Sequence, residues 1–287
     1  MNLPASDQSH VIGTVPNFVP DLPGQFTPSE YALPNQIFYR REHQYHPIDG
    51  ELSGISGVTY DGEHHFMPFF DPAKADIEVL QTILARYDCL YPIDEHTALS
   101  MEQRGFTLDY HDSDSDYVFA AAQFNDYSGK ALHAKRNLMR QFIDAATPHS
   151  VDLQGHADEA CAVLKGWLAD VGRSPEQSDY LQCIEALHAV GDYGMSGRLV
   201  LTSSGKAIGF VLVSCLGNDC AVVHFAKGRR AHNGVYPYMF SDFVRHNPDV
   251  RWLNFEQDLG NPKFRQNKRS FVPSHMIQKY RVRLRSN

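Results

Sequence analysis

The sequence predicts an α/β (α+β) protein of two consecutive units, each a mixed, largely antiparallel sheet flanked by helices. Three observations carry this expectation. Short apolar runs bounded by Gly, Pro or Asp alternate with segments of helical period. The second half reads helix, helix, three strands joined by Ser204-Gly205 and Gly217-Asn218-Asp219, a helix and two strands. The first half reads as a cruder version of that order. No repeat is visible in the residues, so the duplication rests on element order alone.

The elements follow in sequence. Residues 1–36 hold six prolines and little periodicity, the pattern of an extended arm. Ile37-Phe-Tyr-Arg-Arg, Ser56-Gly-Val-Thr-Tyr and His64-His-Phe-Met-Pro-Phe-Phe read as three short strands of a meander. Asp71-Pro-Ala opens a helix to about Tyr87 with Ile77, Leu80, Ile83 and Leu84 on one face. A strand at Cys89, a helix over 95–103 and a strand over 106–110 complete a first unit spanning 37–128. Residues 129–147 form a connecting helix, and 148–287 the second unit. Within the second unit, helices cover 156–170 and 178–190, strands 198–202, 207–214 and 220–225, a helix 236–246, and strands 251–255 and 277–284.

The 287 residues are 43% hydrophobic and 21% charged, with no apolar run long enough to cross a bilayer and no secretory leader at the N-terminus. A cytoplasmic protein is expected. The five cysteines are scattered without a C-x-x-C pair and read as reduced thiols, mostly in the core. The histidine pairs His43/His46 and His64/His65 have no companion cysteines, and His64 and His65 alternate across a strand, so no metal site is expected.

Charge is distributed unevenly. Residues 1–226 carry 13 basic and 30 acidic side chains, and residues 227–287 carry 13 basic and 4 acidic ones, a net of -17 against +9. A solvated basic tail and an anion-attracting surface both fit this asymmetry. The strand-like Trp252-Leu-Asn-Phe ends on Glu256, Asp258 and Gly260, and no acidic residue follows.

Three motifs carry a family resemblance: Asp116-Tyr-Val-Phe; Ser128-Gly-Lys-x-x-His-x-Lys-Arg-Asn137 with Phe142; and Asn254-x-Glu-x-Asp-Leu-Gly260-x-x-x-x-Arg265-x-x-Lys268-x-Ser270-x-x-Pro273. From about residue 37 onward the chain resembles the C-terminal domain of phosphatidylglycerol lysyltransferases and its stand-alone relatives. The resemblance implies tandem GNAT-like domains, related in architecture to Fem-type aminoacyltransferases. It also implies transfer of an aminoacyl group from charged tRNA to an amine or hydroxyl acceptor such as a lipid head group, a peptide or a small molecule. Aminoacyl-tRNA would be a co-substrate and no cofactor is required. Peripheral contact with a membrane is open, and no stable protein partner is expected.

An aminoacyl ester is already activated, so the protein must position donor and acceptor, take a proton and stabilise an oxyanion. Glu256 and Asp258, two apart on an expected strand, would share a face and orient an ammonium or act as base; a helix cap by Asp258 is the competing reading. Arg265 and Lys268 share a helix face, where they would bind phosphate or meet developing negative charge. Lys135, Arg136 and Asn137 are consecutive, so one or two would reach the central cleft. His224 is either a base beside the donor carbonyl or a satisfied core histidine. Tyr236 would protonate the leaving oxygen or simply pack. Asn254 and Arg230 are further binding candidates. The loop Lys227-Gly-Arg-Arg-Ala-His-Asn-Gly234 lacks the paired glycines of a pyrophosphate cradle, which disfavours an acyl-CoA donor. An acyl-CoA-dependent N-acyltransferase and a non-catalytic anion-binding module are the alternatives.

Overall fold

A computed structural model describes residues 26–50, 52–217 and 219–285. A 3-10 turn, Ser29–Tyr31, leads into α1 (Leu33–Phe38), followed by β1 (His46–Ile48), β2 (Gly54–Val58) and β3 (His64–Pro68). Then come α2 (Ile77–Leu84), β4 (Cys89–Asp94), α3 (Glu95–Gln103), β5 (Thr107–Tyr110), β6 (Asp116–Ala120) and α4 (His133–Ala146). The second half runs β7 (His149–Asp152), α5 (Ala157–Val171), α6 (Tyr180–His188), β8 (Met195–Leu201), β9 (Ala207–Cys215), β10 (Cys220–Gly228) and α7 (Val235–His246). It ends with β11 (Trp252–Asn254), α8 (Pro262–Arg269), β12 (His275–Ile277) and β13 (Lys279–Arg283).

These strands form two mixed, mostly antiparallel sheets of the expected class, in the orders β1-β2-β3-β4-β13-β5 and β12-β6-β11-β10-β9-β8-β7. In the second sheet β9 is apolar from Ala207 to Val213 because both of its faces are covered. Phe210 and Leu212 point into a core shared with α5 and α6, while Val211 and Val213 join the cluster under α7. The first sheet packs Phe66, Leu90, Ile93 and Val282 against α2 and α3. Its other face brings Ile55 and Met67 against Tyr31, Leu216 and Val222, and so meets the second sheet.

The two sheets exchange strands. β6, from the first half, pairs with β11 and β12 in the second sheet, and β13, the last strand, lies between β4 and β5 in the first. The expectation that the final strand finishes the second unit is thereby corrected. The reason is in the alternation Lys-Tyr-Arg-Val-Arg: Tyr280 and Val282 face the first core, whereas Lys279, Arg281 and Arg283 reach carboxylates of the first half. Lys279 and Arg281 have no exposed surface. The Lys279 ammonium lies 2.6 Å from Asp116 on β6, 2.7 Å from Glu30 and 2.7 Å from the Gln257 side-chain oxygen. Arg281 pairs with Asp114, Asp61 and Glu63.

Three further expectations change. The arm over residues 1–36 lies outside the described residues up to 25; beyond that, Ser29, Glu30 and Tyr31 are buried at the centre instead of lying over the body. Ile37 to Arg41 is the end of α1 and a turn, not a strand, because Pro34 starts a helical turn and the Asn35 and Gln36 amides bond back to Ser29 and Glu30 carbonyls. The helix expected from Asp71 starts at Ile77, which is 42% exposed, after a turn in which the Asp71 carboxylate accepts from Ala73 N–H.

Because Lys279 and Asp116 are both fully buried, removing one leaves an uncompensated charge. Lys279→Met is therefore expected to destabilise the protein by about 3–5 kcal/mol. The double variant Lys279→Met/Asp116→Leu should recover part of that loss in urea unfolding, and strict additivity would show that the pair is not coupled.

Candidate active site

β10 and β11 run parallel but pair only from Cys220/Trp252 to Val222/Asn254. Beyond that point β11 stops and the chain turns along β6, with Phe255 N–H donating to Tyr117 O. β10 carries a bulge between Val223 and Phe225 that leaves His224 without a register partner in the ladder with β9. The strands thus part beside His224, and a cleft of about 410 Å³ lies over this end of the sheet.

Glu256 stands in the cleft wall on a left-handed backbone, φ 59°, a conformation that costs a non-glycine residue about 1 kcal/mol. The conformation is held from both sides. Glu256 N–H donates to the Asn254 side-chain oxygen at 2.7 Å, and Lys268 Nζ donates to the carbonyls of Glu256 at 3.1 Å and Gln257 at 2.5 Å. Asn254 in turn donates to Asp116 at 3.0 Å, so the buried ion cluster is the foundation of the site.

The carboxylate of Glu256 is aimed by Asn35 and His224. Asn35 Nδ2 donates to Ser29 O at 2.9 Å and to Glu256 Oε1 at 2.8 Å, which turns Asn35 Oδ1 toward His224 Nδ1, 3.0 Å away. Nδ1 also lies 3.2 Å from Glu256 Oε1. Two acceptors at Nδ1 require the proton there, so Nε2 accepts from the Ser214 hydroxyl at 2.8 Å. One oxygen of Glu256 is thus fixed twice, and Oε2 has no partner among the described residues.

Asp258 is not beside Glu256 on a strand face, because the strand ends at Asn254 and the backbone reverses hand at Glu256 and Leu259. Asp258 has no exposed surface. Its oxygens accept from Tyr117 OH (2.7 Å), Arg265 Nε (2.7 Å) and Nη2 (3.1 Å), and Gly260 N–H (2.9 Å). Burial pushes this carboxyl up, but the bonds from Arg265, Tyr117 and Gly260 outweigh it and hold the group below the usual carboxylate range. Asn261, not Asp258, caps α8. Asp258 and Arg265 therefore brace the loop that carries Glu256.

Lys268 has its ammonium lowered to about 8 by burial, against the opposing pull of Glu256, Asp116 and Asp258. The other candidates lie elsewhere. Lys135 Nζ sits 3.7 Å over the Phe271 ring, and burial lowers it to about 8. Arg136 donates to Tyr127 O at 2.5 Å and Gly129 O at 3.3 Å, while Asn137 faces His133. None of these three lines the cleft. Tyr236 OH accepts from Gly228 N–H, and Arg230 clasps Asp170 through its own N–H and guanidinium. Both lie toward the far end of β10, where Gly228 is four residues and about 13 Å along the strand from His224.

The opposite wall comes from His43, weighed above only as a metal ligand, and from residues that the sequence reading did not single out: Asn35, Tyr39, Glu42, Tyr45 and Tyr60. The signal for them was the spacing of Tyr and Glu through Glu30-Tyr31, Tyr39 and Glu42 to Tyr45. In a stretch read as arm and meander, it looked like an ordinary surface.

The site is thus a bulged strand beside a parted parallel neighbour, with an oriented carboxylate in the gap. The family model for the C-terminal region of phosphatidylglycerol lysyltransferase matches residues 24–283, and the chain belongs to that family. A conserved protein of unknown function from Bacteroides thetaiotaomicron is similar in fold, with a TM-score of 0.74 at 18% identity over 89% of this chain and 91% of that one. The C-terminal domain of a putative lysylphosphatidylglycerol synthetase from Agrobacterium fabrum aligns at 0.57 and 15% identity, covering 87% of both chains. FemX aligns at 0.59 and 9%, covering 88% of this chain and 91% of that one. Among the described residues no helix is long and apolar enough to cross a membrane.

The Asp258–Arg265 pair predicts an asymmetry. Arg265 is one-third exposed and can turn to water if left alone, whereas Asp258 cannot. Arg265→Ala should cost about 3 kcal/mol in urea unfolding and Asp258→Asn only about 1; the reverse order would refute the bracing role.

Proposed function

We propose that the protein is an aminoacyltransferase that moves an aminoacyl group from charged tRNA to an amine or hydroxyl acceptor, with Glu256 as the proton acceptor. The observation that carries this reading is the Glu256 carboxylate, fixed by Asn35 and His224 through one oxygen and open at the other. It stands where β10 and β11 part. Membership of a lysyltransferase family supports the reaction class.

In the proposed reaction the acceptor N–H or O–H gives a proton to Glu256 as its heteroatom attacks the ester carbonyl carbon. The tetrahedral oxyanion then collapses, the ester C–O bond breaks, and the ribose oxygen leaves with the proton that Glu256 accepted. His224 acts as a positioning residue for Glu256. Lys268 keeps the 256–257 turn in place and supplies positive charge from behind it.

An acyl-CoA donor is the second reading, favoured by a hollow of about 460 Å³ beside the β10–α7 loop, lined in part by Lys206 and His232. The helix terminus there is poorly equipped for a pyrophosphate. Val235 N–H is already bonded to His232 O, and Pro237 has no N–H. α4 packs directly on the loop: Gly234, at φ +93°, sits so close that an added Cβ would lie 2.2 Å from Leu138 O. Arg229 and Arg230 are both committed to Asp170. These features support a donor other than CoA.

A mixture of charged tRNAs with radiolabelled amino acids tests the reading directly. Binding should weaken steeply with salt, since it releases counterions from phosphates, and absence of tRNA binding at low salt would refute the donor. Glu256→Gln is expected to slow transfer by about 100-fold or more with the melting temperature little changed.

The pH profile adds a signature for Lys268. Its ammonium titrates near 8 when folded, against an ordinary 10.5, so transfer should decline as pH rises through about 8. Between those values the unfolded chain binds more protons, so this group makes stability rise with pH and the decline is not unfolding. Lys268→Arg, which stays charged, should move the decline to higher pH; an unchanged profile would remove Lys268 from the mechanism.

A further inference from the structure

The cleft has a charge and surface character that bears on the acceptor. None of its lining residues is Lys or Arg. Three are glutamates. Glu30 is offset by Lys279, but among the described residues Glu42, exposed at the mouth, accepts from the neutral Gln182 amide and no cation, and Glu256 from Asn35 and His224. Four of the nine other lining residues are aromatic: Tyr39, His43, Tyr45 and Tyr60. The His43 and Tyr45 rings stack at 5.2 Å, and Tyr39 lies 6.3 Å from His43. All of these rings are neutral near pH 7. Burial pushes the ionisation of Tyr39 and Tyr45 upward and that of His43 downward.

Two lysines stand behind the cleft wall, each bonded to residues that line it. Lys268 donates to two carbonyls, and Lys279 is held by Asp116, Glu30 and Gln257. A phosphate entering the cleft would therefore meet carboxylates and no cation among the lining residues, since Lys268 and Lys279 stand behind the wall with their ammonium groups bonded to it. An ammonium ion would meet carboxylates and aromatic faces, the two surfaces that attract it most strongly.

We propose that this cleft receives the acceptor as an aliphatic ammonium, so that the protein acylates a primary amine and not the head group of an anionic lipid. The proposal rests on the transfer reading above and names its substrate class. The ammonium docks between Glu42 and the aromatic wall with its nitrogen toward Glu256 and gives Glu256 one proton. The free amine attacks the ester carbon, a C–N bond forms, and the C–O bond breaks. The second nitrogen proton leaves with the ribose oxygen, so the products are an amide, a free tRNA 3′ end and one proton delivered through Glu256 to solvent.

Calorimetry on the full chain distinguishes the possibilities. Spermidine and a lysine-bearing tripeptide are the two amine probes, one for free amines and one for peptide side chains, and glycerophosphoglycerol represents the anionic head group. At least one amine should bind and glycerophosphoglycerol should not. Glu42→Lys, an exposed change compatible with folding, should weaken amine binding about tenfold, equivalent to about 1.4 kcal/mol. Tighter binding of glycerophosphoglycerol, binding of neither amine, or amine affinity indifferent to Glu42→Lys would each overturn the proposal. Transfer assays separate it from the broader reading. An amide formed on the bound amine from charged tRNA supports both. Transfer to phosphatidylglycerol vesicles alone keeps the transferase and overturns the amine acceptor. Amine binding with no transfer from any charged tRNA overturns the transferase and leaves an amine-binding cleft.

Discussion

The ion pair between Lys279 and Asp116 is the contact on which the rest of the structure depends. Neither side chain has any exposed surface, so each charge must be answered inside the protein. Asp116 belongs to the second sheet and Lys279 to the first, and the bond between them links the sheets at their centre. The same carboxylate accepts from Ser29 N–H at 2.8 Å and from Asn254, and the same ammonium is bound to Gln257. One buried pair therefore anchors the entry segment, the end of β11 and the turn that presents Glu256. A site built on such a base has little freedom, which is what a positioned proton acceptor needs.

The exchange of β6 and β13 between the sheets has a consequence for the cleft. A cleft between two independent units would widen and close as they moved. Here each sheet contains a strand delivered by the other half of the chain, so the walls are joined through the sheet ladders themselves. The apolar contact of Ile55 and Met67 with Leu216 and Val222 adds a dry layer behind it.

The uneven charge of the two ends of the chain finds its explanation here as well. Lys227, Arg229, Arg265, Lys279, Arg281 and Arg283 from the basic tail pair with Asp179, Asp170, Asp258, Asp116, Asp114 and Glu63. Five of those six acids come from the acidic part of the chain. Much of the asymmetry is thus internal neutralisation, and the basic groups left outside, such as Lys263 and Arg269 on α8, form a smaller surface than the totals implied.

Much of the fold was legible in the residues. The strands from β8 to β10 and helix α7 follow from local periodicity, which a short window of sequence contains, and the family resemblance from three short motifs. Glu256, His224, Asn254 and Lys268 were visible as candidates for the same reason. Asp258 was also visible, but its burial under Tyr117 and Arg265 was not, because both strand alternation and the backbone reversal at Glu256 depend on tertiary hydrogen bonds. The aromatic and acidic wall from Tyr39 to Tyr60, the placement of β13 in the first sheet, and the turning of Arg136 and Arg230 to backbone and Asp170 were decided only in three dimensions. Each is a pairing between groups far apart in the chain, and sequence patterns report which face of an element is apolar but not which distant charge it will meet.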